Sequence, residues 1–331
     1  MPDNNTEHPF AEFIRILGKG KKGSRPLTQK EAYHAMRMIL AEEVEEIQLG
    51  AFLMLMRVKE ETPEELAGFV LAVRETLPSM ITKTADLDWS AYAGKRRHLP
   101  WFMLSSFLLA ENGIKVLMHG SASHSKNRLF AQDMLSLFSL TKADSFDTAK
   151  QQLQAQNFAY LSLEQLCPSL NRMIHLRNLM GLRSPVHTLV RLINPFNAPY
   201  SIQGIFHPGY RPVHQEAALL LQQAHMTVIK GEGGETERNP DMECLTQSVH
   251  NGILSEETWP ALFSRRHVKP DELDSQQLIQ VWRGKIQDEF AEASIVGTTA
   301  IALKLLAKAD TQKAAQQLAL QYWQNRDKNI F

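Results

Sequence analysis

The sequence predicts an α/β protein in two parts: a small all-helical domain and a larger domain whose mostly parallel central sheet is flanked by helices. Two observations predict it. The first quarter of the chain carries apolar residues at helical spacing behind two capping signals. From about residue 90, short β-like runs alternate with helical stretches, as a parallel sheet with helical crossovers requires. The length of 331 residues allows one large domain or two modest ones, and 44% apolar with 22% charged residues is ordinary globular composition.

The elements follow in order. "LTQKEAYHAMRMIL" opens on Thr28 with Glu31 three residues on, a capping box, and Ala32, Ala35, Met36, Ile39 and Leu40 form its stripe. "EVEEIQLGAFLMLMRVKEE" carries Val44, Ile47, Ala51 and Leu55 on one side, expected to face the core. "TPEELAGFVLAVRETL" starts with Thr62 as cap, Pro63 at the first helical position and Glu65 closing a second box; Leu66, Phe69, Val70 and Val73 are its core face. Strand candidates are "IKVLMHG", "SIQGIFHP" and "MTVIKGEGG", with helix candidates "AQDMLSLFSL" and "VHQEAALLLQQA" between them. "LCPSLNRMIHLRNLMGL" reads as helix returning to the first layer, and the segment from Ser294 reads as helix to about Gln324. The expected division is residues 1–85 plus a return segment at about 165–190, against 86–164 and 191–331.

Formal net charge is zero, so attraction to a polyanion has to come from charge segregation. The charges are segregated. Eleven acids lie between Glu42 and Asp88, but Trp89–Gln132 holds only Glu111 against Lys95, Arg96, Arg97, Lys115, Lys126 and Arg128. No acid occurs from Gln165 to Gln215, which contains Arg172, Arg177, Arg183, Arg191 and Arg211. "RILGKGKKGSRP" adds Arg15, Lys19, Lys21, Lys22 and Arg25. Each run can be an independently solvated face; together they suggest a shared basic surface. Two distant cysteines, Cys167 and Cys244, give no disulfide framework and suit a reducing compartment. The polar start has no signal core, and "WFMLSSFLLA" is too short to span a bilayer, so a soluble cytoplasmic protein without membrane contact is expected.

There is no nucleophile elbow, Walker loop or HExxH, and the twelve histidines lack metal-ligand spacing. "GKGKKG" is not placed between a strand and a helix, and reads as a basic loop joining two helices. Glu232, Glu235 and Glu237 of "GEGGETE" have metal-ligand chemistry, but the commoner expectation for such a turn is solvated charge.

The run "QLGAFLMLMRVKEET" then "ELAG", with "GIKVLMHGSAS", "HLRNLMGLRSPVHTLVRLINPF", "IFHPGY" and "KGEGGE" following in order, resembles the anthranilate phosphoribosyltransferases over most of the chain. The resemblance implies a helical domain and an α/β domain with the active site in the cleft between them. It also implies a glycine-rich loop that grips the pyrophosphate of phosphoribosyl pyrophosphate, which in this sequence falls at "YAGKRRHLPW". There only Gly94 remains, and Lys95, Arg96 and Arg97 replace small residues that would let backbone N–H groups reach a phosphate. Ser121 and Ala122 stand where the family has asparagine and arginine, Glu235-Thr236 stands for its magnesium-organising Asp-Glu pair, and Arg177 falls at its anthranilate-contacting arginine.

These departures resemble the YbiB-like branch of the family. That likeness implies no catalysis, no cofactor, sequence-independent binding of DNA or RNA, and a homodimer through the helical domain. Arg128 falls where the branch carries a binding arginine. The expected phosphate-contacting residues are Lys19, Lys21, Lys22, Arg25, Lys95, Arg96, Arg97, Lys126, Arg128, Arg172, Arg177, Arg183 and Arg211. The alternative is an active phosphoribosyltransferase using phosphoribosyl pyrophosphate, magnesium and anthranilate or another aromatic acceptor.

Overall fold

The computed structural model describes residues 7–78, 84–122 and 127–331. The chain divides into two compact units: Met1–Pro78 with Cys167–Ile193, and Ser79–Leu166 with Asn194–Phe331.

The first unit is helical. Both predicted capping boxes form, at Thr28 with Glu31 and at Thr62 with Glu65, and they start the helices Gln29–Leu40 and Pro63–Glu75. The Glu65 carboxylate also accepts from Leu27 N (2.8 Å), which ties the entry of one helix to the start of the other. Ala32, Ala35, Met36 and Ile39 pack against Leu66, Phe69, Val70 and Val73, all buried. The helix Glu46–Lys59 corrects the expectation. Its buried face is Leu49, Phe52, Leu53 and Met56, while Ile47 (82% exposed) and Ala51 face out. Both sides of this helix are apolar, so periodicity alone could not orient it. The return segment forms helices Pro168–His175, Arg177–Met180 and Val186–Leu189. It is fastened by Arg74, which donates to Ile193 O (2.7 Å) and Leu192 O (3.1 Å).

The second unit is built on one sheet of strands β1 Leu87–Ala91, β2 Val116–Gly120, β3 Phe158–Ser162, β4 Tyr200–Ile205, β5 His225–Lys230, β6 Cys244–His250 and β7 Ile253–Trp259. Their order is β3-β2-β1-β4-β5-β6-β7, parallel from β3 to β5 and antiparallel at β6 and β7. The chain leaves β1 towards β2 on one side and later builds β4 on the other. A switch point therefore lies between β1 and β4, where open α/β sheets place ligands beyond the strand ends. "WFMLSSFLLA" is a core helix, Phe102–Glu111, buried on all sides and packed on the helix Glu289–Leu305. The C-terminal segment is two helices rather than one: Glu289–Leu305 and Gln312–Asn325, the second capped by Thr311. No helix among the described residues is long and apolar enough to cross a membrane.

Candidate functional site

β1 ends at Ala91 beside the switch point, and the loop that follows begins with Tyr92. Beneath it lies a buried polar chain. The Tyr92 hydroxyl meets His119 Nδ1 at 2.7 Å, His119 Nε2 lies 3.1 Å from Asp88 Oδ1, and Ser201 Oγ donates to Asp88 Oδ2 (2.9 Å). β1, β2 and β4 supply Asp88, His119 and Ser201 of this chain, so their register fixes where the loop starts.

The loop itself is held from above by the turn after β5. Ala93 N and Gly94 N both donate to Glu235 Oε1, the first at 2.7 Å. Arg96 N (3.3 Å) and Arg97 N (2.6 Å) donate to Glu232 Oε1, and His98 Nδ1 donates to Glu232 Oε2 (2.8 Å). Glu237 accepts from Lys95 Nζ (2.5 Å) and from Phe102 N (2.8 Å), the start of the core helix. Gly94 has φ +67 with the Phe130 ring packed where a Cβ would be, so this position requires glycine. Gly231 is required for a different reason: a Cβ there would lie 1.7 Å from Glu235 O, and its absence lets the turn fold tightly onto the loop.

The electrostatics follow from this packing. Burial alone would lower the Lys95 ammonium, but Glu237 and Glu232 (3.1 Å) hold it above its ordinary range, charged. Burial alone would push the Glu232 carboxyl up, yet His98, Lys95 and Arg97 N bring it down to about 2. The expectation of solvated turn charges at Glu232, Glu235 and Glu237 is therefore overturned: Glu235 and Glu237 are buried, and all three carboxylates are spent on the loop.

Lys95 is likewise corrected. It is 2% exposed and lies between two carboxylates, out of reach of an external phosphate. Its neighbours Arg96 and Arg97 are exposed. Arg128 is half-buried, and its Nη1 donates to Ala93 O (2.8 Å) and Gly94 O (2.9 Å), so it braces the loop. Arg211 is half-buried and donates weakly to Leu245 O (3.3 Å). Lys126 lies outside the described residues. In the helical unit Lys19, Lys21 and Lys22 are exposed in the turn after the helix Ala11–Gly18. Arg25 is engaged by Glu31 through two bonds of 2.7 Å, and Arg172 lies 3.8 Å from Glu46. Arg177 and Arg183 come together with the buried Arg191 around His187. Burial first, then Arg183, Arg191 and Arg177, drive that imidazole down to about 3. Sequence reasoning missed His98, Asp88 and His119; the Asp88–His119 pairing joins strands far apart in sequence and leaves no local signal.

Among the described residues no group of three or more His, Cys, Asp or Glu side chains is arranged to hold a metal ion. The loop also does not fit a pyrophosphate, because the N–H groups that would receive it are already bonded to carboxylates.

Residues 11–77 match the helical bundle domain of a glycosyl transferase family, and residues 103–325 match the a/b domain of that family. The chain is 28% identical over 308 residues to the anthranilate phosphoribosyltransferase of Caldivirga maquilingensis, spanning 88% of this chain and 90% of that one. It is 26% identical over 206 residues to the uncharacterized protein YbiB of Escherichia coli, spanning 61% and 64%. Its fold superposes on the anthranilate phosphoribosyltransferase (TrpD) of Thermus thermophilus with a TM-score of 0.78 at 19% identity, over 96% of this chain and 94% of that one. The Saccharomyces cerevisiae enzyme in complex with PRPP and Mg gives a TM-score of 0.77 at 16% identity, over 98% and 95%. With both domains matched in order and the fold shared end to end, this chain belongs to the anthranilate phosphoribosyltransferase-like glycosyl transferase family.

Proposed function

We propose that this chain is a member of the family that does not transfer phosphoribosyl groups and instead binds DNA or RNA without reading base sequence. One observation carries the first half. Four loop N–H groups, at Ala93, Gly94, Arg96 and Arg97, already donate to Glu235 and Glu232. Pyrophosphate needs such donors free, and two carboxylates in its place repel it. Glu237, beside the position of the family's acidic pair, is bonded to Lys95 rather than open to magnesium.

The second half rests on the cations that remain. Lys19, Lys21, Lys22, Arg96 and Arg97 are exposed and form no ion pair among the described residues. Around His187, burial first and then Arg183, Arg191 and Arg177 favour the neutral imidazole, so positive charge is concentrated in this part of the helical unit. Such groups bind a phosphodiester backbone by neutralising phosphates and releasing counterions. A homodimer fits the outward apolar residues of the helical unit, Ile47 (82% exposed), Val58 (77%) and Leu179 (85%).

A second reading, transfer of phosphoribosyl from phosphoribosyl pyrophosphate to anthranilate or another aromatic acceptor, is favoured by the names of the matched relatives. Those names back it more directly than any relative's name backs nucleic-acid binding. It requires the Glu232–Glu235 turn to leave the loop before the donor enters.

A paired experiment separates the two. Random-sequence DNA is titrated across a salt series, and pyrophosphate release is followed with phosphoribosyl pyrophosphate, magnesium and anthranilate. The proposal expects an affinity loss on the order of a thousandfold between about 50 and 200 mM salt, and no pyrophosphate. Pyrophosphate release that is lost in Arg177→Ala establishes the second reading; no DNA binding at low salt removes the first.

A further inference from the structure

Between Trp101, the first turn of the helix Glu289–Leu305 and the segment after β7 lies a cavity of about 180 Å³. Its walls are largely aromatic and apolar: Leu99, Trp101, Leu273, Phe290 and the rings of His98 and His267. His98 stacks on Phe290 with centroids 4.4 Å apart, and His267 meets the same ring at a steep angle, 5.6 Å away.

The polar lining is one-sided. His98 Nδ1 is 2.8 Å from Glu232 and His267 Nδ1 is 2.7 Å from Asp241. An ionised carboxylate only accepts, so each Nδ1 carries the proton. The His267 imidazole is raised above the ordinary histidine range, first by Asp241 and further by Glu289, whose Oε2 lies 3.5 Å from Nε2. Its positive charge is thus balanced by two acids. The remaining polar liners are Glu272, Asp288 and Gln277, and no lysine or arginine lines the cavity among the described residues. Apart from His267, whose charge is balanced by Asp241 and Glu289, the charged wall groups are the acids Glu272 and Asp288, set beside aromatic surface.

We infer that this cavity binds a small organic cation, a primary ammonium on a short apolar stem. The ammonium has three donors and no acceptor, which matches Glu272 and the Asp288 oxygen that does not cap the helix at Ala291 N. The stem packs on Trp101 and Phe290, and aromatic faces add attraction for the cation. The volume is below the ~300–1,000 Å³ typical of pockets for drug-sized ligands, which excludes a nucleotide or a sugar phosphate on size as well as charge. The cavity shares His98 with the loop that carries Arg96 and Arg97, and the inference does not rest on nucleic-acid binding.

Titration of the full chain with n-butylammonium and with putrescine, by calorimetry and ligand-observed NMR, tests the inference; n-butanol and n-butanoate are the controls. Saturable binding of the ammonium probes is expected, with none of butanoate. Glu272→Gln, a change at an exposed position, is expected to weaken the ammonium about tenfold while leaving the unfolding midpoint in place. Butanol binding as tightly as butylammonium overturns the inference, because the cavity then recognises only apolar volume. So does an amine signal that fails to saturate or is unmoved by Glu272→Gln, which marks diffuse attraction to surface acids. Absence of any binding overturns it equally.

Discussion

Three consecutive cations at 95–97 have two different fates, and the difference is one of burial. Lys95 turns inward to Glu237 and Glu232, whereas Arg96 and Arg97 stay in solvent. Removing one partner of a buried pair leaves the other charge stranded, which costs about 3–5 kcal/mol. Lys95→Ala is therefore expected to lower the urea-unfolding free energy by that amount, read from the denaturation midpoint. Arg96→Ala combined with Arg97→Ala is expected to change stability by less than about 0.5 kcal/mol each, as surface substitutions do. On the nucleic-acid reading the same pair lowers the log–log salt slope by about 2. Equal stability of the Lys95 and Arg96 variants contradicts the inward placement. Glu232 is one source of the pH dependence. Its folded carboxyl titrates at about 2 against an ordinary 4.5, so its stabilisation is present above about 4.5 and fades as pH falls towards 2. The expected size is about 3 kcal/mol. Glu232→Gln is expected to flatten the acid limb of a stability–pH curve measured between pH 7 and 3, and an unchanged limb contradicts it.

At the scale of elements, the helix starts carry both fold and charge. Glu31 closes the capping box of the helix Gln29–Leu40 and at the same time engages Arg25, which with Thr28 holds its carboxyl down to about 2. Glu31→Gln is expected to cost about 0.5–1 kcal/mol through the weakened cap. It also releases Arg25 into the exposed basic turn, so DNA affinity at low salt is expected to rise a few-fold; a fall in affinity argues against that turn as a contact. Such starts were legible because a box is a local pattern: Thr28 with Glu31 and Thr62 with Glu65 both formed. The strands "IKVLMHG", "SIQGIFHP" and "MTVIK" were legible for the same reason. β1 was not, because Asp88 becomes compatible with a buried strand only when β2 and β4 arrive with His119 and the Ser201 hydroxyl. The break after Leu305 was hidden by continuous Ala and Leu content, although Thr311 was available as a cap. Within the site, the replaced glycine loop was visible in the residues themselves. The carboxylates that fill it looked like solvated turn charges, since their partners are backbone N–H groups contributed from the far end of β1.

For the whole molecule, zero net charge means that no long-range field draws a polyanion in. Screening limits each cation's reach to about 8–10 Å at moderate salt, so affinity depends on how many phosphates are contacted at once. A second copy of the chain raises that number without any new kind of contact. For the proposed homodimer the candidate surface is the helix Glu46–Lys59: with Leu49, Phe52, Leu53 and Met56 turned inward, Ile47 and Val58 are left 82% and 77% exposed on the other side. An apolar helix side of this kind is stable in water when a second apolar surface covers it. Ile47→Asp with Val58→Asp is expected to convert a dimer to a monomer in sedimentation equilibrium. The unfolding midpoint at low protein concentration should stay nearly unchanged, because neither side chain is in the core of its own unit. If one strand of nucleic acid is contacted by both copies, the same variant lowers the salt slope towards half its value, since the slope counts phosphates at about 0.9 each. A wild-type chain that sediments as a monomer, or a double variant that remains dimeric, removes this surface as the interface.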